Sequence, residues 1–385
     1  MAISHRSRST MLSRRALNRA FLARQLLLER VAHKPLDVIE HLVGLQAQAP
    51  QPPYVGLWTR IRDFVPHDLS QLLLDRSAVR IILMRSTVHL VSAADCLRLR
   101  PAVQPCLDRA VGPRGWRRLA GVEPGELAAH GRAWLDEEPR SAAELNQLLG
   151  KRWPDVDRPL LARALRAVVP MVQIPPRGLW GRSGRPVYAT AETWLGAPLH
   201  PEPSLPSLVR RYLAAFGPAS VADIQLWCGL THLREIVEAE RHELIRFTDE
   251  NGTELFDLPD APRPGPDADS PVRFLAEFDN AVLSHADRSR IIGVDDQKRI
   301  ITKNALVLGT VLVDGFVSGL WRVENERKRS WLVITPFRPL SGTERGALTE
   351  EGGRLLRFMA PDADDQDVII QADHASGGRE DPRVD

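Results

Sequence analysis

The chain is poor in cysteine and lysine, and it lacks any long apolar run. Its three cysteines, Cys96, Cys106 and Cys228, include no C-x-x-C pair. This odd number without a paired motif argues against a disulfide framework, a zinc ribbon and an iron–sulfur cluster. No apolar stretch is long enough to span a bilayer, and the basic N-terminus lacks the apolar segment of a secretory signal. We therefore expect a cytoplasmic protein without a membrane partner.

Several catalytic and cofactor-binding motifs are also missing. The sequence contains no H-E-x-x-H, no P-loop and no G-x-G-x-x-G, and its 11 histidines are scattered without the spacing of metal ligands. The metalloprotease, NTPase and dinucleotide-dependent classes of enzyme lose their best support. We predict that the protein uses no metal and no other cofactor.

Charge is unevenly distributed along the 385 residues. Residues 361–385 contain eight acidic residues and two arginines, so this tail carries −6, the part before it +8 and the whole chain +2. Only five of the 51 basic residues are lysines. Arginine binds phosphate bidentately, but a GC-rich genome produces the same bias in composition. The charge therefore permits a nucleic-acid partner without establishing one.

One arrangement of elements occurs three times along the chain. Helical periodicity is followed each time by a short two-stranded ribbon, which is typical of a winged helix. The predicted ribbons are 79–84 with 87–91, 172–174 with 186–189, and 244–248 with 253–258, the last closed by a type I′ turn at Glu250-Asn251-Gly252. We predict a mainly α fold with small β elements (α+β), built from three tandem winged helices and a small C-terminal β domain.

The sequence also predicts where these parts begin and end. The predicted parts are a disordered basic arm (1–11), winged helices at 12–120, 121–200 and 201–260, a proline-rich linker (261–271), the C-terminal β domain with a final helix (272–360) and a disordered acidic tail (361–385).

Two glutamines occupy an unusual position. Gln46 and Gln48 lie one residue apart where the helix predicted over Pro35–Leu45 runs out, just before Pro50 and two further prolines. Glutamine is neither a helix N-cap nor a turn former, and a buried amide must find hydrogen-bond partners. Two such amides on a constrained backbone could hold a water, a sugar or a base edge. The alternative is an exposed helix end.

Four segments, taken together, resemble the AlkZ-type winged-helix DNA glycosylases. They are GLQAQ (Gly44–Gln48), RSTVHLV (Arg85–Val91), FLAEFDNAVLSHADRSR (Phe274–Arg290) and GTVLVDGFVSGLW (Gly309–Trp321). The resemblance implies three winged helices around a concave basic surface that holds duplex DNA. It also implies hydrolysis of the N-glycosidic bond of N7-alkylated guanine, including bulky adducts and interstrand crosslinks left by natural products. Gln46 and Gln48 match the Gln-x-Gln motif that is catalytic in the branch linked to antibiotic self-resistance.

Amide chemistry suits that reaction. An amide cannot serve as a general base, but an N7-alkylguanine already carries a positive charge and leaves as a neutral base. The protein then needs mainly to position water and to stabilise a cationic sugar, which fixed dipoles can do. The few lysines lie far from the motif in sequence, so we predict a monofunctional glycosylase without a lyase step. The separate roles of the two glutamines stay open.

The candidate DNA contacts lie on the predicted ribbons and on a predicted hairpin. Arg85 and His89 belong to the first ribbon, Arg177, Arg182 and Arg185 to the second, and His285, Asp287, Arg288 and Arg290 to a hairpin at 284–290. In the family, a hairpin from this region is thought to probe the DNA groove. A surface arginine is as often merely solvated. Asp279-Asn280 is expected to form a turn that braces this hairpin.

Two other functions are compatible with the motifs. The first is a non-enzymatic transcriptional regulator, although regulators usually read DNA as dimers with one helix per subunit. The second is a protein that sequesters the alkylating compound. Three winged helices in one chain need no dimer, so we expect a monomer, associated with the nucleoid, on double-stranded DNA that contains alkylated guanine.

Overall fold

The computed structural model describes residues 10–371, which form a mixed α/β architecture. Within this range the α-helices are α1 (Arg14–Arg24), α2 (Pro35–His41), α3 (Pro52–Trp58), α4 (Pro66–Leu74), α5 (Ala93–Ala102), α6 (Gln104–Arg118), α7 (Pro124–Glu137), α8 (Ala142–Arg152), α9 (Arg158–Val168), α10 (Ala191–Leu195), α11 (Leu205–Phe216), α12 (Val221–Cys228), α13 (Arg234–Ala239), α14 (Gln297–Ile300) and α15 (Gly342–Met359). None of the described helices is long and apolar enough to cross a membrane.

The strands form three sheets. They are β1 (Thr10–Met11), β2 (Leu45–Gln46), β3 (Ala78–Ile82), β4 (Val88–Ser92), β5 (Arg140–Ser141), β6 (Met171–Ile174), β7 (Val187–Thr190), β8 (Ile245–Thr248), β9 (Glu254–Asp257), β10 (Arg273–Leu275), β11 (Thr310–Val313), β12 (Phe316–Glu326), β13 (Arg329–Pro336) and β14 (Asp365–Ile370). The strand orders are β1-β8-β9, β2-β4-β3-β6-β7-β5 and β10-β11-β12-β13-β14.

The chain divides into two units. Residues 10–268 together with 278–290 form the first unit, and 269–277 with 291–371 form the second. The two ribbons predicted for the first two winged helices are confirmed as strands, but they share one sheet. Strand β3 pairs antiparallel with β6 through Arg80 opposite Gln173 and Ile81 opposite Val172. The two predicted ribbons therefore lie side by side in one six-stranded sheet.

Most helix starts follow the capping signals in the sequence. The predicted capping box at Ser141 and Glu144 is formed, and Ser220 and Asp223 make a second one at the start of α12. Helices α5 and α6 were not predicted. Each contains an internal proline, and α6 has a kink at Gly112, which adopts a φ of 64°. These interruptions break the apolar period on which a helix prediction rests.

The hairpin of β8 and β9 is confirmed, but its predicted type I′ turn is wrong. A type I′ turn needs positive φ at two successive residues, and within 249–253 only Gly252 has one. The carboxylate of Asp249 instead accepts hydrogen bonds from the backbone N–H groups of Asn251 (2.9 Å) and Thr253 (2.7 Å). This side chain closes a longer loop.

Two predicted disordered regions are partly ordered. Residues 10–11 of the basic arm form β1 beside β8, and residues 1–9 lie outside the described range. In the second unit, residues 365–370 of the acidic tail form β14, which pairs parallel with β13. The short apolar run at Val368 explains the difference, because its side chain lies beside Gly352 of α15. The remaining tail, 372–385, is outside the described residues.

Residues 278–290 form no hairpin, so that prediction is wrong, as is their assignment to the C-terminal domain. They contain one 3-10 turn (Asn280–Val282) and belong to the first unit. Asp279 makes two hydrogen bonds of 2.8 Å to Arg60. His285 donates from Nε2 to the carbonyl of Phe216 at 3.0 Å, and its ring meets Phe21 edge-on. Asp279 and His285 therefore have their hydrogen-bond partners in the interior of the first unit and not on a surface hairpin.

The ion pair of Arg60 and Asp279 is fully buried, with side-chain exposures of 0% and 1%. Breaking it leaves an uncompensated buried charge, so Arg60→Met is expected to lower the free energy of unfolding by about 3–5 kcal/mol. Chemical unfolding of the variant and the wild type measures this. The exposed pair of Arg62 and Glu29 (57% and 85%) is the matched control. Arg62→Met should cost less than about 1 kcal/mol, and equal losses at both sites would contradict the prediction.

Two buried histidines predict that the fold weakens in acid. Burial and the nearby positive charge of Arg290 lower the pKa of His285 to about 3, and burial with Arg85 does the same for His89 on β4. Both values lie below the ordinary value near 6.5, so the unfolded chain binds more protons as the pH falls below about 6.5. The free energy of unfolding therefore falls progressively as the pH drops below that value, by about 2 kcal/mol per histidine at pH 5.

Urea unfolding between pH 7.5 and 5 checks this expectation. His285→Asn should flatten the pH dependence in that interval, whereas His242→Asn, at a side chain that is 72% exposed, should leave it unchanged. An unaltered slope in the His285 variant would contradict the assignment.

Candidate functional site

The glutamine motif lies on a strand and not at a helix end. Helix α2 ends at His41, four residues earlier than predicted, and Val43 and Gly44 then take positive φ values of 54° and 92°. A Cβ on Gly44 would lie 2.6 Å from Cγ1 of Val91, so only glycine fits there. The chain then enters β2, whose Leu45 and Gln46 pair antiparallel with Leu90 and His89 of β4.

Residues 44–47, which we call the glutamine strand, are held from three sides. The backbone N–H of Ala47 donates to the carbonyl of Val88 at 2.7 Å, which extends the pairing with β4. Asn280 donates from Nδ2 to the carbonyl of Gly44 at 2.7 Å, and Arg80 donates from Nη2 to the carbonyl of Ala47 at 2.7 Å. Asn280 thus braces the motif itself and not the predicted hairpin. These hydrogen bonds fix the backbone of the glutamine strand, which ends at the residue before Gln48.

The two glutamines differ in exposure and in partners. Gln46 is 7% exposed, and its Oε1 accepts a hydrogen bond from Nη2 of Arg85 at 2.8 Å. Gln48 is exposed, and its Oε1 accepts a longer bond from the backbone N–H of Val88 at 3.3 Å. Strand β2 ends at Gln46, Ala47 is fully buried, and Gln48 lies in the bend that follows. Both residues nevertheless lie beside β4, since Gln46 pairs with His89 and Gln48 accepts from the N–H of Val88.

Arg85 links the motif to the end of a distant helix. Besides Gln46, its guanidinium binds the carbonyl of Trp227 near the C-terminus of α12. Helix carbonyls at this end carry partial negative charge and attract cations. Burial lowers the pKa of Arg85 to about 10, so the group stays protonated at neutral pH. The predicted DNA contact is thus half-buried and engaged by the protein.

His89 lies beside Gln46 but is enclosed. It is 1% exposed, and its Nδ1 donates to the carbonyl of Thr87 at 3.0 Å. In the neutral ring Nε2 then carries no proton, and this atom has no partner. With a pKa near 3, His89 is neutral at physiological pH. It supplies neither a surface cation nor an acid to the site.

The remaining predicted contacts fall into two groups. Arg182, Arg185 and Asp287 are exposed, and Arg288 is half-buried. Arg177 is held by the carbonyl of Gly184. His285 and Arg290 are buried and donate to the carbonyls of Phe216 and Pro218.

Two arginines near the motif were missed by sequence reasoning. Arg163 and Arg166 are exposed on α9, and with Ser86, next to Arg85, they line a cavity of about 260 Å³. Neither has an ion-pair partner among the described residues. Their spacing of three residues on the polar face of an amphipathic helix was the available signal. Unlike Arg85, they are free to meet an anion.

The arrangement offers dipoles and hydrogen bonds, with no titrating group at neutral pH. Two amides lie beside β4, the adjacent arginine stays charged, and the adjacent histidine stays neutral. Among the described residues, no group of three or more His, Cys, Asp and Glu side chains could hold a metal ion. Such a site can orient a water molecule and stabilise charge, but it cannot protonate a leaving group.

Comparisons with known proteins agree with this chemistry. Residues 39–358 match the family model described as DNA glycosylase AlkZ-like. An interstrand DNA cross-link repair glycosylase of Streptomyces sahachiroi is 24% identical over 371 residues, which cover 87% of this chain and 94% of that protein. The solved structure of the Streptomyces sahachiroi DNA glycosylase AlkZ matches 94% of this chain and all of its own with a TM-score of 0.78 at 20% identity, so the two share a fold. The chain belongs to the AlkZ-like DNA glycosylase family, as its motifs predicted.

Proposed function

We propose that the protein is a monofunctional DNA glycosylase that hydrolyses the N-glycosidic bond of N7-alkylated guanine in duplex DNA. The observation that carries the proposal is the pair of neutral amides, Gln46 at the end of a braced strand and Gln48 in the bend that follows it. Family membership supports the glycosylase class and does not favour a transcriptional regulator. Bulky natural-product adducts and interstrand crosslinks are the proposed lesions, with self-resistance or base-excision repair as the role.

The reaction suits a site without an acid. Alkylation at N7 gives the purine a positive charge, so when the bond from C1′ to N9 breaks, its electron pair neutralises the departing base. The sugar becomes an oxocarbenium ion, water forms the new bond to C1′, and the surplus proton passes to solvent. A neutral base such as uracil would leave as an anion and would need a proton donor. The amides therefore favour cationic lesions.

Exposure suggests how DNA reaches the site. Gln48 is exposed, and the nearest aromatic side chain in sequence, Tyr54, is fully buried against Trp180. This supports an open site, in which the glutamines approach the scissile bond from a groove without a closed aromatic pocket. Large adducts would then fit as well as a methyl group. We further propose that the fold contains tandem winged helices, that these form a concave basic surface, and that the protein binds duplex DNA there as a monomer.

The proposed phosphate contacts are the arginines that the fold leaves free. Arg163 and Arg166 are the strongest candidates because they line a cavity with Ser86, the residue after Arg85, and Arg182, Arg185 and Arg288 extend the proposed set. Asp287 is retained as a polar contact. His285, Arg290 and His89 are buried, so we do not propose them as DNA contacts.

Removing either amide should abolish most base release. Gln46→Ala and Gln48→Ala are each expected to slow excision of N7-methylguanine from duplex DNA by ~10²-fold or more, because each removes a dipole used in the transition state. Neither carries charge, so affinity for DNA should hardly change. Single-turnover release of the free base and a parallel binding titration measure both effects. Wild-type rates in both variants would refute the site, and efficient uracil release would refute the chemistry.

The free arginines of α9 should control the salt dependence of binding. Replacing both Arg163 and Arg166 by Gln is expected to reduce the slope of log affinity against log salt by about 2 units, because each phosphate contact contributes ~0.9. The matched control removes two exposed arginines from α15, Arg345 and Arg357, and should leave the slope unchanged. Equal slopes in the two double variants would show that α9 does not contact phosphate.

A further inference from the structure

The contact between Arg85 and Gln46 determines which end of the amide is free. Nη2 of Arg85 lies 2.8 Å from Oε1 of Gln46. A guanidinium has donors and no acceptor, so only the oxygen of the amide can face it. The orientation of Gln46 is therefore set by chemistry. The NH₂ group must point away from Arg85, and Nε2 has no hydrogen-bond partner within residues 10–371.

The backbone of Arg85 is unusual for an arginine. Arg85 and Ser86 adopt successive positive φ values of 54° and 58° in the turn between β3 and β4. Residues other than glycine and asparagine rarely occupy this region, because it strains the backbone. Gly229, just beyond α12, packs directly on this turn, since a Cβ there would lie 3.1 Å from the nitrogen of Arg85. Arginine and serine thus occupy two positions whose backbone conformation suits glycine better.

The charge of Arg85 also limits what the Gln46 oxygen can do. The protonated guanidinium of Arg85, 2.8 Å away, already binds Oε1 of Gln46, which is the negative end of the amide dipole. That oxygen is therefore poorly suited to stabilise a cationic sugar. The opposite end presents two N–H donors, which bind acceptor atoms and not cations. The two glutamines can thus play different parts although they are the same residue.

We propose that Arg85 is a positioning residue that holds the Gln46 carbonyl and so turns the Gln46 NH₂ group towards a hydrogen-bond acceptor of the lesion nucleotide. The proposal rests on the proposed function, and it separates two roles that the sequence leaves undivided. Gln46 donates to the nucleotide, and Arg85 acts only through Gln46. The carbonyl of Trp227 holds the other end of the guanidinium and keeps it from rotating away.

A double-mutant cycle tests whether Arg85 acts through Gln46. Arg85→Gly keeps the turn, because glycine adopts positive φ freely, and it should slow single-turnover release by roughly 10²-fold with unchanged DNA affinity. In a Gln46→Ala background the same change should slow release by less than about threefold, because the positioned group is already gone. In a Gln48→Ala background it should keep most of its effect. Additive losses with Gln46→Ala, or weakened DNA binding, would make Arg85 an independent phosphate contact and overturn the proposal.

Matched variants separate positioning from folding. Arg327 in the second unit also has a positive φ, 53°, and is exposed, so Arg327→Gly is the same substitution in the same backbone conformation and should leave release unchanged. Arg85→Lys should restore part of the rate, since an ammonium can still donate to Oε1. Gln46→Glu keeps the partner of Arg85 but has no N–H, and it should be as slow as Gln46→Ala. A fast Gln46→Glu enzyme would refute the donor role.

A measurement without catalysis distinguishes failure of this inference from failure of the proposed function. The side-chain amide of Gln46 can be followed by ¹⁵N NMR, with its signals assigned from their loss in Gln46→Ala. In the wild type, exchange of the two protons by rotation about the C–N bond should be slow, and in Arg85→Gly it should speed up. Unchanged signals would refute the contact whether or not any base is released. Altered signals in a protein that releases no N7-alkylguanine would refute only the proposed function.

Discussion

The bracing of the glutamine strand, residues 44–47, is the constraint on which the site depends. Two residues of ladder cannot hold a strand alone, because a pairing this short offers too few hydrogen bonds to offset the ordering of the chain. Asn280 and Arg80 donate hydrogen bonds to its first and last carbonyls, those of Gly44 and Ala47, and so supply partners that the short ladder lacks. Residues more than 200 positions apart thus fix one small segment. The conformational entropy of this segment is therefore lost during folding, before DNA binds.

Buried arginine is the second theme of the first unit. Arg24 binds Asp257 with both side chains fully enclosed, and Arg60 binds Asp279 in the same way. Arg85 and Arg80 bind carbonyl and amide oxygens. A guanidinium can satisfy several acceptors at fixed angles while it keeps its charge, which lysine cannot do. Seven of the described arginines are buried, so part of the arginine that suggested an electrostatic DNA surface is internal structure.

The electrostatics of the site explain a restricted chemistry. Arg85 stays charged and His89 stays neutral at physiological pH, since burial moves both pKa values downward from opposite sides of neutrality. A site with no group that titrates near pH 7 cannot exchange protons with a substrate. It can only act on a bond that is already activated. Cationic leaving groups meet that requirement, which links the amide motif to alkylated purines.

Local signals in the sequence determined the family, the paired glutamines and most elements with clear caps or ribbons, such as α8 with its capping box and the β8–β9 hairpin. These features depend on neighbouring residues, so they can be read along the chain. Tertiary structure alone decided that β2 is a strand, that β3 and β6 join two predicted wings in one sheet, and that residues 278–290 lie inside the first unit. It also decided which polar groups are free. Burial and hydrogen-bond partners come from segments far apart in sequence, and neither residue type nor spacing can distinguish the half-buried, hydrogen-bonded Arg85 from the exposed Arg163.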